Sequence, residues 1–114
     1  MSKIVLIAER DEEIRALLTE AMRSLGLTVV CSNSGKLTLE ILSFNPGFAM
    51  LIMDTALGDY AAADLIYEIR MDQDLAKMPI IIVSDRIKVK DINDLLEMGA
   101  SYFIAKPPNT GQLQ

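Results

Sequence analysis

Two carboxylates, a hydroxyl and an ammonium group each follow directly on a short apolar run of the sequence. The polar residues and the runs before them are Glu9 after Ile4–Ala8, Asp54 after Phe48–Met53, Ser84 after Ile80–Val83, and Lys106 after Tyr102–Ala105. Short continuous apolar runs separated by helical patterns are typical of parallel strands that are buried on both faces. The carboxyl ends of such strands border one crevice, so we expect these side chains to converge there and form a site for ligand binding and chemistry.

The composition of the chain predicts one domain and disfavours two classes of partner. The 114 residues are enough for a single domain with a proper core. The net charge is −5 and histidine is absent, so a nucleic acid or an anionic membrane would repel the domain. No apolar run approaches the roughly 18 residues that a membrane-spanning helix needs. The lone Cys31 is expected to be a small buried hydrophobic residue, and we predict a cytoplasmic protein.

Between the polar landmarks, helical and strand-like patterns alternate. In residues 14–25 the apolar positions recur at three- and four-residue spacing, which is typical of an amphipathic helix. Asp11 and Ser34 are predicted to cap the first two helices, and Gly26 to end the first. The predicted strands cover about residues 4–9, 28–31, 48–53, 80–83 and 102–106, with a helix after each of the first four. This order predicts an α/β fold with a doubly wound, five-stranded parallel sheet.

The sequence ends soon after the fifth predicted strand. Only six residues, 109–114, follow Pro107-Pro108, and six residues are too few for a stable fifth helix. Either an apolar face stays open, or another chain covers it, or the sequence is part of a longer protein. We favour the last alternative and expect residues 1–114 to be a single domain of a longer chain.

Taken together, the landmarks resemble the receiver domain of two-component response regulators. The residues that carry the resemblance are Glu9, Asp54, Ser84, Phe103 and Lys106-Pro107. In combination they are a specific signal, whereas any one alone would mean little. The resemblance covers the whole chain except a last helix, and it implies a flavodoxin-like fold with strand order 2-1-3-4-5.

The resemblance also implies a role for each landmark. Asp54 would accept a phosphoryl group from a phosphohistidine of a partner kinase, with the protein supplying mainly positioning and charge stabilisation. Lys106 would pair with one phosphoryl oxygen, and Ser84 would donate a hydrogen bond to another. Phe103 would swing in behind Ser84, and a cis Lys106–Pro107 peptide would aim the lysine. Such a domain, expected to be bacterial, catalyses at most its own phosphorylation and dephosphorylation.

The Mg²⁺ site that the family implies is the part of the resemblance that fits least well. Two successive acidic residues usually end the first strand, but here the pair is Glu9-Arg10. Mg²⁺ requires oxygen ligands, and arginine offers only hydrogen-bond donors. If Arg10 enters the crevice, we expect it to form an ion pair with Asp54 or Glu9 and to oppose the metal. The remaining ligands would be Glu9, Asp54, the backbone carbonyl of Ala56 and, as a substitute, Asp11.

Three further departures from the family pattern lie in the same region. Gly58 stands in place of the usual proline, Ala62 in place of a glycine, and Asp85 in place of the small residue beside the hydroxyl. Asp85 adds negative charge where a phosphoryl group would arrive. The site is therefore altered on its metal side, while the acceptor aspartate, the hydroxyl and the ammonium are kept.

Two functions stay open from the sequence alone. One is a working receiver, whose partners would be a histidine kinase or phosphotransfer protein and a downstream protein or fused output domain. The other is a phosphorylation-independent pseudo-receiver that serves as an interaction module, homodimerisation included, because Arg10 replaces a metal-binding acidic residue. A flavin- or nucleotide-binding protein is disfavoured, since the acidic segment after the first strand, residues 9–13, would repel phosphate.

Overall fold

The computed structural model describes residues 3–85 and 88–106, in which four helices alternate with five strands. The strands are β1 (Ile4–Ala8), β2 (Thr28–Ser32), β3 (Met50–Asp54), β4 (Ile80–Ser84) and β5 (Tyr102–Ala105). The helices are α1 (Glu12–Ser24), α2 (Gly35–Phe44), α3 (Ala62–Met71) and α4 (Val89–Met98). The strands are parallel and lie in the order β2-β1-β3-β4-β5. The predicted α/β fold and its strand order are confirmed.

The core lies on both faces of the sheet. Along β1, Leu6 and Ala8 belong to a larger apolar cluster, whereas Val5 and Ile7 belong to a smaller one, because successive side chains of a strand point to opposite faces. The larger cluster includes buried side chains of α2, α3 and α4, and the smaller one is covered by Leu18 and Met22 of α1, with other partly buried residues. Burial on both faces explains why the sequence of β1 is a continuous apolar run.

Within the described part of the chain, β5 is covered on one face only. Phe103 packs against the larger cluster, while Tyr102 and Ile104 point to the other face and are 68% and 54% exposed. The described residues end at Lys106, directly after β5. The expectations for residues 107–114, including the cis peptide before Pro107, lie outside the described part of the chain.

The predicted helix caps are confirmed, but the prediction for Cys31 is wrong. Asp11 Oδ1 accepts hydrogen bonds from the backbone N–H groups of Glu13 and Ile14, and Ser34 Oγ accepts one from Leu37. Cys31 is exposed, because β2 is an edge strand and the side chain lies in a surface groove beside α1.

The loop between β3 and α3 is fastened to the beginning of α2. The Asp59 carboxylate accepts hydrogen bonds from the backbone N–H groups of Gly35, at 2.8 Å, and Lys36, at 2.9 Å. These two bonds hold the pKa of Asp59 below its ordinary value, since they favour the charged carboxylate. The Tyr60 ring packs directly over Gly35. The loop that follows Asp54 is therefore held in place by a second element of the fold.

Replacing Gly35 with alanine is expected to destabilise the domain by about 1–2 kcal/mol, although alanine favours helices over glycine by about 1 kcal/mol. A Cβ at this position would lie 2.6 Å from Tyr60 Cδ2 and 2.8 Å from Tyr60 Cβ, so the loop would have to move. Urea unfolding measures the effect, with Lys36→Ala as the control for an exposed neighbouring position. A Gly35→Ala protein as stable as the wild type would contradict this packing.

A buried charge cluster at the carboxyl edge of the sheet

The structure brings the predicted landmarks together at the carboxyl edge of the sheet. Glu9, Asp54 and Lys106 stand at the carboxyl ends of β1, β3 and β5 and, with other residues, line one open crevice of about 350 Å³. Among the residues that the structure describes, the lining of this carboxyl-edge crevice is Glu9, Arg10, Asp11, Asp54, Ala56, Asp85 and Lys106. Glu9 is only 1% exposed and Asp54 only 5%, which is unusual for carboxylates and requires charge compensation.

Lys106 supplies that compensation for both carboxylates. Its Nζ lies 3.0 Å from Glu9 Oε1 and 3.3 Å from Asp54 Oδ2. Among the described residues, Arg10 forms no ion pair with either carboxylate, so the pairing predicted for an Arg10 that enters the crevice is not formed. β5 ends beside β4, where the Lys106 N–H donates to the Ser84 carbonyl, and this places the lysine at the crevice.

The cluster shifts the pKa values of two of its members. Burial raises the pKa of Glu9, and the nearby charge of Asp54 adds to this, against the hydrogen bonds from the Asp11 N–H and from Lys106. Burial alone would lower the pKa of Lys106, but its contacts with the two carboxylates outweigh burial and leave that pKa raised. Two buried carboxylates thus share one ammonium, and Glu9 is the carboxylate that is costly to ionise.

Replacing Glu9 with glutamine is expected to make stability less dependent on pH. The pKa of Glu9 is raised above its ordinary 4.5 in the folded protein. The contribution of this group is therefore fully present below pH 4.5 and is lost as the pH rises through the folded pKa. Glutamine does not titrate, so the free energy of unfolding of Glu9→Gln relative to wild type should rise from acid to neutral pH. Urea titrations across that range measure it, with the exposed Glu20→Gln as control; a relative stability that falls with pH would contradict the assignment.

Backbone contacts hold Glu9 in place beneath the crevice. The Asp11 N–H donates to Glu9 Oε2 at 3.0 Å, and Arg15 Nη1 donates to the Glu9 carbonyl at 2.9 Å. Glu9 Oε1 is buried, and within residues 3–85 and 88–106 its partner is the Lys106 ammonium alone. Asp11 uses one carboxylate oxygen to cap α1, which is the simpler of the two roles considered for it. Its service as a substitute metal ligand stays a prediction.

The hydroxyl of Ser84 is buried and engaged with a neighbouring side chain. Ser84 is 4% exposed, and its Oγ lies 3.0 Å from Thr55 Oγ1 in a hydrogen bond that either group can donate. The sequence reasoning missed Thr55, although a hydroxyl directly after the acceptor aspartate was the available signal. Phe103 lies one strand further along the sheet, paired in register with Ile82 and partly buried against the larger cluster.

Arg10 lies at the mouth of the crevice and rests on Gly58. A Cβ added to Gly58 would overlap Arg10 Nη1 and would lie 3.3 Å from Arg10 Cζ. Gly58 has φ +92°, which other residues rarely adopt. The glycine therefore leaves room for the guanidinium where the family usually has a proline. Ala56 forms an isolated bridge with Ala61, and Asp85 is exposed on the crevice wall.

The crevice fits a divalent metal ion poorly. Among residues 3–85 and 88–106, no three His, Cys, Asp or Glu side chains are grouped so as to hold one. Glu9 and Asp54 each direct an oxygen at Lys106, and the second Glu9 oxygen accepts the Asp11 N–H. Arg10 brings a positive charge to the same crevice. Mg²⁺ prefers several oxygen ligands in near-octahedral geometry, and this donor set does not provide them.

Comparison with known proteins assigns the chain to a family. The family described as Response regulator receiver domain matches residues 5–114. The chain belongs to this family. The strand order and the buried Asp54–Lys106 pair agree with the assignment, and a receiver domain is a signalling domain that acts in phosphorelays.

Two similar proteins illustrate the breadth of the family. Two-component response regulator ORR7 of rice, Oryza sativa subsp. japonica, is 33% identical over 103 residues, which are 90% of this chain and 49% of that protein. The chain thus spans about half of that relative. A response regulator receiver protein from Pseudomonas putida has 25% identity and a TM-score of 0.85, covering 99% of this receiver domain and 93% of that chain. Relatives in a plant and in bacteria do not support the expectation of a bacterial origin.

One similar structure bears on the metal. The receiver domain of sensor histidine kinase PA1611 from Pseudomonas aeruginosa was solved with a magnesium ion coordinated in its active site cleft. It has 22% identity to this chain and a TM-score of 0.84, and the match covers all of this chain and 93% of that one. At this identity the likeness shows the fold alone, so the metal belongs to that protein.

No helix in the described part of this chain is long and apolar enough to cross a membrane.

Proposed function

We propose that this receiver domain accepts a phosphoryl group on Asp54 from a phosphohistidine of a histidine kinase or phosphotransfer protein. The observation that carries the proposal is the Asp54 carboxylate itself. It is 5% exposed at the end of a central strand, and it lies 3.3 Å from the Lys106 ammonium in a crevice that opens to solvent. A buried, charge-compensated carboxylate at the open edge of the sheet is positioned to act as a nucleophile.

The transfer step forms one bond and breaks one bond. An Asp54 carboxylate oxygen attacks phosphorus, an oxygen–phosphorus bond forms, and the phosphorus–nitrogen bond breaks with its electron pair going to nitrogen. With phosphoramidate as donor, the nitrogen already carries three protons near neutral pH and leaves as ammonia. The product is an acyl phosphate on Asp54. The work of the protein is mainly to position the donor and to compensate charge on the phosphoryl oxygens.

Lys106 provides that charge compensation from inside the crevice. Before transfer its ammonium is shared between Glu9 and Asp54. After transfer, the Asp54 oxygen that carries phosphorus is no longer anionic, and Lys106 can turn to a phosphoryl oxygen as a mobile point charge. Glu9 stays behind Lys106 and holds the ammonium at the base of the crevice.

Ser84 and Phe103 are proposed to pass the phosphorylated state to a partner surface. The Ser84 hydroxyl is bonded to Thr55 Oγ1 in this structure, and it would exchange this partner for a phosphoryl oxygen. Ser84 closes β4, and Phe103 lies on the neighbouring strand β5 against the larger cluster. A shift at Ser84 would therefore alter packing around β5, and a small population shift between two states is enough for signalling.

The downstream partner is proposed to be a separate protein or an output domain of the same chain. A longer chain would agree with the rice relative, of which this receiver domain spans about half. The exposed Tyr102 and Ile104 of β5 would then be covered by the further segment or by the partner. The lone, exposed Cys31 fits a reducing compartment, and we propose a cytoplasmic location.

The test is phosphorylation by phosphoramidate, followed by intact mass spectrometry. Wild type and Asp85→Asn, a control in the same crevice, should gain one phosphoryl group, and Asp54→Asn should gain none. The reaction is run with Mg²⁺ and with EDTA. If the wild type gains nothing under either condition, the domain is the phosphorylation-independent module instead, an alternative that the position of Arg10 in the crevice would then explain.

A further inference from the structure

Arg10 lies at the entrance of the crevice. Its guanidinium has no ion-pair or hydrogen-bond partner among the described residues. Arg10 follows Glu9 at the end of β1, is exposed, and lines the crevice together with Asp54 and Lys106. Its guanidinium is seated on Gly58, whose missing Cβ and left-handed backbone leave the space for it. The arginine is thus held beside the crevice by the same loop that follows Asp54.

The donors of Arg10 are available to a ligand. Among residues 3–85 and 88–106, the guanidinium makes neither an ion pair nor a hydrogen bond. Lys106, by contrast, is already engaged by two carboxylates. The planar guanidinium of arginine has five N–H donors, and a pair of them can bind two phosphoryl oxygens at once.

In its described lining, the crevice has more acidic than basic residues, so a second cation would help it to bind a phosphoryl group. Two carboxylates, Glu9 and Asp54, face the single ammonium of Lys106, and the acidic residues Asp11 and Asp85 line the same crevice. An arriving phosphoryl group brings more, and Lys106 alone cannot compensate for it. In the part of the chain that the structure describes, Arg10 is the one other cation that lines the crevice.

We propose that Arg10 binds the incoming phosphoryl group in the place of a metal ion, so that phosphorylation of Asp54 does not require Mg²⁺. The inference rests on the proposed function and names the group that replaces the metal. It agrees with the poor fit of the crevice to a divalent ion, since the residue that spoils the metal site supplies the missing positive charge. The guanidinium would compensate charge that spreads over the phosphoryl oxygens during transfer.

The experiment measures the rate of phosphorylation by phosphoramidate, in EDTA and in Mg²⁺, for wild type, Arg10→Gln, Arg10→Lys and Arg10→Asp. Wild type should react at rates that agree within about twofold in the two conditions, and Arg10→Gln should be slower by about tenfold or more in both. Arg10→Lys should fall between them, because it keeps the charge and loses the fork. Arg10→Asp should be slow in EDTA and accelerated by Mg²⁺, since it adds an oxygen ligand.

Arg23→Gln is the matched control, since Arg23 is an exposed arginine at the end of α1, and it should react like the wild type. A wild type that is phosphorylated only with Mg²⁺, or an Arg10→Gln protein as fast as wild type, would overturn the inference while leaving Asp54 as the acceptor. If the wild type does not react in either condition, the proposed function fails and the inference fails with it. Arg10 is exposed, so its variants should fold, and thermal unfolding checks this.

Discussion

Replacing Lys106 with methionine is expected to lower the free energy of unfolding by about 1–3 kcal/mol at pH 8. The ammonium is the common partner of Glu9 and Asp54, at 3.0 and 3.3 Å, and without it two nearly buried carboxylates lie together uncompensated. Breaking a fully buried pair costs about 3–5 kcal/mol. The loss should be smaller here because the crevice admits water and because Glu9 can take up a proton.

The pH dependence of this loss follows from the direction of the Glu9 shift. Burial already raises the pKa of Glu9, and removing Lys106 would raise it further. The methionine variant should therefore recover stability as the pH falls from 8 toward 5, since protonation removes one of the two charges. Urea unfolding at both pH values measures the effect, with the exposed Lys77→Met as control. A deficit that is absent at pH 8, or that grows as the pH falls, would contradict the charge cluster.

The same Lys106→Met substitution should slow phosphorylation of Asp54 by roughly a hundredfold or more, which is the usual cost of losing one group that stabilises developing charge. Among the described residues, Lys106 is the cation that contacts Asp54, and Arg10 at the crevice mouth would not replace it from there. The rate is measured with phosphoramidate at a temperature where circular dichroism shows the variant to be folded.

Lys106→Arg separates charge from position in this experiment. Arginine restores the positive charge but is bulkier and less compact than the ammonium, so we expect partial recovery of the rate. Full activity of the methionine variant would mean that Lys106 stabilises the fold and has no part in the transfer.

Much of the fold could be predicted because the apolar pattern is unambiguous. β1, β3 and β4 are continuous apolar runs buried on both faces, and Asp11 and Ser34 cap helices as their types suggest. Cys31 was misjudged because burial on an edge strand depends on its neighbours across the sheet. Such tertiary context is not written in the local sequence.

The sequence predicts which residues form the site, but it does not predict which of them form ion pairs. Strand ends in a parallel sheet meet at one edge, so the convergence of Glu9, Asp54 and Lys106 followed from topology. Which cation would pair with the carboxylates depended on side-chain direction. Lys106 contacts both carboxylates from the end of β5, while Arg10 lies at the mouth of the crevice against Gly58. The hydrogen bond between Thr55 and Ser84 joins residues 29 positions apart, and the bond from Gly35 to Asp59 joins residues 24 positions apart. A local sequence pattern does not predict such contacts.

Borohydride reduction identifies the residue that carries the phosphoryl group, which we propose to be Asp54. Reduction converts an acyl phosphate of aspartate to homoserine, which peptide mass spectrometry locates by position. After phosphorylation with phosphoramidate, we predict homoserine at position 54 and unmodified residues at Asp11 and Asp85, the two other aspartates of the crevice. Homoserine at another position, or none in a protein whose mass shows a gained phosphoryl group, would mean that Asp54 is not the acceptor.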